Sequence, residues 1–259
     1  MYFSYNYHSE DMPFVSMAKN HYHNGLIEIY YLEKGECGYF IEDKTYHVTS
    51  GDVIIIPEGV IHKTTYYAPY IRRLITLDNR ALPILTGDEF SSITYVYRNY
   101  DIQGEIKCIF EKIHCEHSAP DKYTSDVVRL LVNELVYLFV RNENKAGNTA
   151  LSSSFVAEAA RHILEKYAED ITLDSVSRLL SVSPEHLSRS FKKDTGFGFN
   201  EYLNLVRLKK ADELLRSSSK MSIFEIAISC GFNDSNYFSD KFKSTYGISP
   251  TKYRKGIEK

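Results

Sequence analysis

The sequence predicts an α+β chain in two parts. An N-terminal antiparallel β-barrel with following helices leads into an all-α domain of two helix-turn-helix units joined by a long helix. Three observations predict this. From Leu26 to Leu77, short runs rich in β-branched and aromatic residues are separated by turn residues. Between Gly104 and Arg141 the apolar residues change to helical spacing. Further on, the pattern apolar-Ser-x-x-Phe-Lys-x-x-x-Gly occurs twice, starting at Leu187 and at Phe238, 51 residues apart. A pattern repeated at that distance is one structural unit copied within a chain.

The turn residues of the first part are Glu33-Lys34-Gly35, Glu42-Asp43-Lys44, Thr49-Ser50-Gly51-Asp52 and Pro57-Glu58-Gly59. Their spacing fits a small antiparallel barrel or sandwich. The same stretch holds His21-x-His23, then Glu28 and Gly35, and later Gly51, Pro57, Gly59 and His62. On a strand His21 and His23 point to one side, because side chains alternate with a period of two. Glu28 and His62 would join them inside the barrel mouth. Three imidazoles and a carboxylate suit a divalent first-row metal. The alternatives are hydrogen bonding to a polar effector, or a purely structural role. Tyr22, Tyr30, Tyr31, Tyr39, Tyr46 and Tyr66 crowd the same region. Rings with a polar tip suit sugars and related small molecules, although barrel packing explains most of them equally well. The expected effector pocket is His21, His23, Glu28, Tyr30, Tyr39 and His62.

Two helices follow, one from roughly Gly104 to His117 and one from about Tyr123 to Arg141, with Pro120 between them. Val127, Leu131, Leu135 and Leu138 share a face of the second, with Leu130 beside them. That surface serves either a dimer seam or packing within the chain. Asn142 to Ser154 is polar, with Gly147 and three consecutive serines, and reads as a linker. The expected division is 1–145 for sensing and dimerisation, 146–154 for the linker and 155–259 for the helical domain.

In the first helical unit, Thr172 can N-cap a helix carrying Leu173, Val176, Leu179 and Leu180. Ser183 can cap the next, with Pro184 at the first position, where its missing N–H costs nothing. Leu187 and Phe191, four apart, form a buried stripe. Glu185, Ser188, Arg189 and Lys192 are left outside. In the second unit Ser222 and Glu225 read as a capping box, Gly231 permits a sharp turn, and Asp234 can cap a helix that buries Phe238 and Phe242. Ser235, Asn236, Ser239, Asp240 and Lys243 are left outside. The connector, Asn200 to Leu215, lacks Gly and Pro and carries Tyr202, Leu203, Val206 and Leu214 on a stripe. Two reading helices on one face of B-DNA must lie about 34 Å apart to enter successive major grooves.

Charge is unevenly divided. From Leu151 onward there are 17 basic and 14 acidic residues, and before it 14 and 20, so the helical part carries +3 and the first part −6. A weakly positive domain implies modest non-specific affinity for phosphate, with recognition left to base contacts and dimerisation. The chain shows no signal-peptide pattern and no apolar run near the ~20 residues that span a bilayer. A cytoplasmic protein without a membrane association is expected. Cys37, Cys108, Cys115 and Cys230 have neither metal-ligand nor disulfide spacing and are expected to be reduced.

Residues 223–254, IFEIAISCGFNDSNYFSDKFKSTYGISPTKYR, resemble the signature of the AraC family of bacterial transcription regulators. The similarity runs from about Ser154 to Lys255. Residues 21–62 resemble the two cupin motifs, with Tyr66 standing where the second usually has Asn. The resemblance implies two helix-turn-helix units on double-stranded promoter DNA and a cupin-like domain that senses a small-molecule effector. It also implies a homodimer and contact with RNA polymerase. Arg189 would read a base, while Lys192, Lys243, Tyr253 and Arg254 would face phosphate. Asp240 departs from the basic or neutral residue expected there. The implied function is a ligand-responsive activator, not an enzyme, sensing a sugar or related metabolite. It requires no cofactor, although a divalent metal in the barrel is compatible with the pattern. The competing readings are a metal-dependent cupin enzyme with an appended helical module, and a constitutive DNA binder whose barrel only dimerises.

Overall fold

Eight strands and nine helices make up the described part of the chain. It was obtained as a computed structural model that describes residues 3–9, 12, 25–78, 96–97, 104–141, 154–217 and 220–257. The strands are β1 (Phe3–His8), β2 (Leu26–Lys34), β3 (Glu36–Ile41), β4 (Lys44–Thr49), β5 (Val53–Ile56), β6 (His62–Tyr66), β7 (Ile71–Asp78) and β8 (Val96–Tyr97). Chain contacts separate a first unit, Met1–Ile41 with Thr45–Leu151, from a second that holds Ser152–Lys259. Among the described residues no helix is long and apolar enough to cross a membrane.

The first unit is layered. One sheet has the order β1-β7-β2-β5-β8 and the other β4-β3-β6; the pairings resolved in register, such as β2 with β5 and β7 and β3 with β6, are antiparallel. β2 explains the arrangement. Its residues from Ile27 to Leu32 are all buried, as expected for a strand covered on both faces. Ile27, Ile29 and Tyr31 pack with Ile75 and Leu77 against two helices, α1 (Glu105–Ser118) and α2 (Thr124–Arg141). Tyr30 and Leu32 face the opposite way, onto Tyr39, Ile41, Tyr46 and Val48 of the smaller sheet. The barrel expected from sequence is thus realised as two facing antiparallel sheets, with helices behind the larger one.

Turn chemistry sets the strand ends. Asp52 accepts hydrogen bonds from the Thr49 N–H and hydroxyl at 2.9 and 3.3 Å, closing the turn between β4 and β5. Gly35 sits at φ 96°, where a Cβ would come within 2.9 Å of the Pro69 carbonyl oxygen, so the β2–β3 turn needs glycine. One residue earlier the β2–β7 register shifts between Leu32 and Lys34. Glu33 is the extra residue of this bulge. Its carboxylate meets Arg73 at 2.8 Å and Lys107 at 2.9 Å.

The helices after the sheets begin and end within a residue of the expected positions. The expected dimer seam requires correction. Leu131 is 8% exposed and Leu135 0%, both in the core with Val132, Val136 and Phe139. Val127 and Leu138 pack partly against the same core. That face belongs to the domain's own interior, where each such side chain contributes about 1.5–3 kcal/mol.

The second unit is all helical: α3 (Phe155–Lys166), α4 (Leu173–Leu179), α5 (Pro184–Thr195), α6 (Phe199–Ser217), α7 (Ile223–Ser229), α8 (Ser235–Tyr246) and α9 (Pro250–Ile257). The expected caps form. Thr172 and Ser222 each close a capping box, Ser183 and Asp234 accept from the N–H three residues on, and Gly196 and Gly247 end their helices in the left-handed conformation. α6 is the shared element. Near its start, Phe199 and Tyr202 pack on Phe191 at 5.6 and 5.7 Å. Further along, Leu208, Ala211 and Leu215 join Ile226, Phe232, Phe238 and Phe242 in a second core. Leu214, placed on the stripe by the sequence, is only partly buried there.

Candidate functional site

The helical unit presents two comparable polar faces. On α5, Leu187 and Phe191 are fully buried, which turns Glu185, Arg189 and Lys192 to solvent with Ser188 half-buried at their edge. Arg189 Nε donates to the Glu185 carbonyl at 3.4 Å, a contact an exposed side chain gives up readily. Lys192 Nζ lies 3.7 Å from the Glu201 carboxylate. On α8, the burial of Phe238 and Phe242 exposes Asn236, Asp240 and Lys243, with Ser235 and Ser239 half-buried.

The second face is braced from behind. Asn204 on α6 donates to the Tyr237 hydroxyl at 3.1 Å, and Tyr246 donates to the Leu208 carbonyl at 3.2 Å. Arg207 donates to the carbonyls of Tyr167 and Glu169 at 2.8 and 2.9 Å. Two expected phosphate contacts are corrected by the same bracing. Arg254 Nη1 donates to the Met221 carbonyl at 2.7 Å, and its Nε and Nη2 are buried. The Tyr253 hydroxyl accepts from Arg216 at 3.1 Å while its ring meets Phe242 edge-on. Both side chains fasten α9 to the domain.

The second candidate is a cavity of about 50 Å³ between the two sheets. Alternation builds it. Glu28 and Tyr30 come from β2, His62, Thr64 and Tyr66 from β6, and Arg72 and Leu74 from β7, each set two residues apart. The Tyr39 hydroxyl donates to Glu28 Oε1 at 2.9 Å, and His62 Nε2 lies 3.6 Å from Glu28 Oε2. His62 Nδ1 faces the Val60 carbonyl at 2.9 Å. A carbonyl can only accept, so Nδ1 carries the proton and Nε2 is left toward the carboxylate. Burial pulls the imidazolium pKa down. Glu28 and the Val60 carbonyl outweigh burial, leaving it above its ordinary value. Burial pushes the phenols of Tyr30, Tyr39 and Tyr66 well up, so they remain neutral donors.

The structure therefore brings Glu28, Tyr30, Tyr39 and His62 together. His21 and His23 lie outside the described residues. Among the described residues no group of three or more His, Cys, Asp or Glu could hold a metal ion; Glu28 and His62 alone are two donors. Tyr31 faces the helices rather than the cavity, stacked on Phe110 at 5.6 Å. Thr64, Arg72 and Leu74 are lining residues that the sequence analysis does not name. Their signal was period-two spacing from His62 and along β7. Cys37 and Cys230 are buried and Cys108 and Cys115 exposed, all as free thiols.

Comparison with known proteins follows the same division. Residues 7–140 match the profile of an AraC-like ligand binding domain, and residues 176–256 that of a helix-turn-helix domain. The uncharacterized HTH-type transcriptional regulator YijO of Escherichia coli (strain K12) is 43% identical over 108 residues, 41% of this chain and 38% of its own length. The HTH-type transcriptional activator RhaS of Escherichia coli is 26% identical over 246 residues, 91% of this chain and 87% of its own. The C-terminal domain of AraT, a response regulator from Geobacillus stearothermophilus, is 40% identical over 40% of this chain and 86% of that domain, with a TM-score of 0.39.

Proposed function

Because the chain belongs to the AraC family of transcription regulators, we propose that it is an effector-responsive activator that binds promoter DNA as a homodimer in the cytoplasm. A ligand-binding domain precedes a DNA-binding helix-turn-helix domain. The observation that carries the reading is the pair of equivalent polar faces held by α6. At 19 residues, α6 is about 28 Å long at 1.5 Å per residue, close to the ~34 Å repeat of the major groove. The printed name of RhaS, a transcriptional activator, supports the sign, and contact with RNA polymerase belongs to the same reading.

The effector reading rests on the cavity between the sheets. It pairs apolar walls with convergent polar groups, as small-molecule sites do. Glu28 and His62 serve there as hydrogen-bonding partners rather than catalytic groups, and the site works without a metal. Metal analysis of untagged protein tests this, since a stoichiometric ion lost in His62→Ala contradicts it.

For the dimer we assign a different face of α2 from the one first expected. Tyr123, just ahead of α2, with Leu130 and Tyr137 on it are 57%, 65% and 50% exposed and recur every seven residues. That is the spacing of a seam between two helices. Leu130→Glu with Tyr137→Glu gives folded monomers in sedimentation, while wild type sediments as a dimer. A monomeric wild type at DNA-saturating concentration contradicts the assignment.

Genome-wide occupancy with and without candidate carbon sources tests the whole. Discrete promoter sites whose occupancy or transcription changes with one source support an effector-responsive activator. Sites insensitive to every source point to a constitutive binder, and the absence of discrete sites contradicts DNA recognition.

A further inference from the structure

Two adjacent arginines on β7 meet opposite fates. Arg73 points toward the helices, where it has the Glu33 carboxylate at 2.8 Å, the Tyr5 hydroxyl at 3.3 Å and the Tyr7 ring at 4.9 Å. Arg72 points into the cavity between the sheets. Its Nη1 is closed off from water and has no hydrogen-bond partner. The Tyr70 hydroxyl accepts from it, and the Glu28 carboxylate acts on it electrostatically across the cavity. Glu28 lies in the same cavity and is engaged by Tyr39 and His62.

A guanidinium N–H closed off from water without an acceptor is costly, and a charge-assisted bond offsets that cost. A fixed fork of N–H donors matches a carboxylate better than any neutral oxygen. The bulge in β2 directly across from Arg72, where Leu32 pairs with it, is a device that re-aims side chains. Tyr66 stacks on Tyr70 at 3.6 Å, and Tyr70 on His8 at 4.2 Å, giving Arg72 a rigid wall. At the other end Glu28 is an acceptor and would repel a second negative charge. The cavity, about 50 Å³, has room for three or four water-sized groups.

From these observations we propose that the effector is a small hydroxycarboxylic acid, its carboxylate held by Arg72 and its hydroxyl directed toward Glu28. This rests on the reading of the cavity as the effector pocket and specifies its ligand class. A neutral sugar would offer Arg72 only a neutral acceptor, and a dianion would meet Glu28.

Calorimetric titration of the full chain with lactate and glycolate, against propylene glycol and ethylene glycol as uncharged counterparts, tests it. Three variants accompany wild type: Arg72→Met, Arg72→Lys and the cavity-filling Leu74→Trp. The expected result is binding of the acids but not the diols. Loss of about tenfold or more in affinity is expected in Arg72→Met and Leu74→Trp, with a smaller loss in Arg72→Lys. Arg72→Lys carries the comparison if Arg72→Met does not fold. Absence of acid binding, or diol binding equal to acid binding, overturns the proposal. Diol binding lost in Leu74→Trp but kept in Arg72→Met overturns the anionic ligand and leaves the pocket reading standing. Acid binding unchanged in every variant overturns both.

Discussion

In the first helix-turn-helix the turn is made by Ser181 at φ 56°, and in the second by Gly231 at φ 84°. Thr172 and Ser222, which cap the leading helices, are 50 residues apart; Ser183 and Asp234, which cap the reading helices, are 51 apart. The second turn therefore holds one extra residue, yet Val182 and Phe232 donate to Ser177 and Ala227 through the same backbone bond at 3.0 Å. Inside, the two units agree: Leu187 and Phe191 on one, Phe238 and Phe242 on the other, all fully buried. Outside, Arg189 stands on the first face and Asp240 on the second. Positions that answer to folding are copied, because caps, turns and core have few chemical solutions. Of the outward positions, Ser188 and Lys192 recur as Ser239 and Lys243, whereas Glu185 and Arg189 give way to Asn236 and Asp240, because nothing in the fold constrains them.

The strongest test of the copied interior is large-to-small substitution. Phe191→Ala and Phe242→Ala should each cost about 3–5 kcal/mol by denaturant titration. A loss below about 1 kcal/mol in one unit would break the equivalence. The turns should respond oppositely. In Gly231→Ala the new Cβ would lie 2.7 Å from the Tyr167 carbonyl oxygen in a left-handed backbone, a loss of about 1–3 kcal/mol. Ser181→Gly removes the same strain and should stabilise by about 0.5 kcal/mol; destabilisation would mean that the turns are not equivalent.

The diverged faces are separated by DNA titration. Arg189→Ala should weaken binding and relax preference at one base pair by about 1–3 kcal/mol. Lys192→Ala and Lys243→Ala should weaken all sequences alike and reduce the salt slope by about one. A preference altered by the lysines, or unaltered by Arg189→Ala, would reverse these roles.

The smallest difference lies in the caps. At the third helical position the second unit has Glu225, whose carboxylate accepts from the Ser222 N–H at 2.6 Å, where the first unit has Ser175. That bond holds the Glu225 carboxyl below its ordinary 4.5. Its stabilisation is present above about pH 4.5 and lost as pH falls through the depressed value. The Ser222 amide resonance should titrate there and that of Thr172 should not. Titration of both, or of neither, would contradict the difference in the caps.

The helical unit was legible because its signals are local. Thr172, Ser183, Pro184, Ser222, Glu225, Asp234, Gly196 and Gly247 act on neighbours within one turn of chain. β1, β8, α3 and α9 have no counterpart in the sequence analysis. β1 is defined by its partner β7, 64 residues or more away in sequence, and no local pattern reports such a pairing. The α2 face was misassigned because helical periodicity shows that Leu131 and Leu135 are buried but not against what. Arg254 was placed on phosphate by the family resemblance, whereas the Met221 carbonyl that holds it is distant in sequence. Glu28 and His62 were legible as a pair through motif spacing. Arg72 was not, since only the facing of two sheets distinguishes it from Arg73.

The central claim is that two reading helices on one connector enter successive major grooves. Hydroxyl-radical footprinting of the full chain on a selected binding site tests it most directly. The predicted result is two protected segments per protomer on one face of the duplex, centred about 10 base pairs apart. Arg189→Ala should weaken protection of one segment and Asn236→Ala that of the other. A single protected segment per protomer, or two segments on opposite faces, would contradict the account.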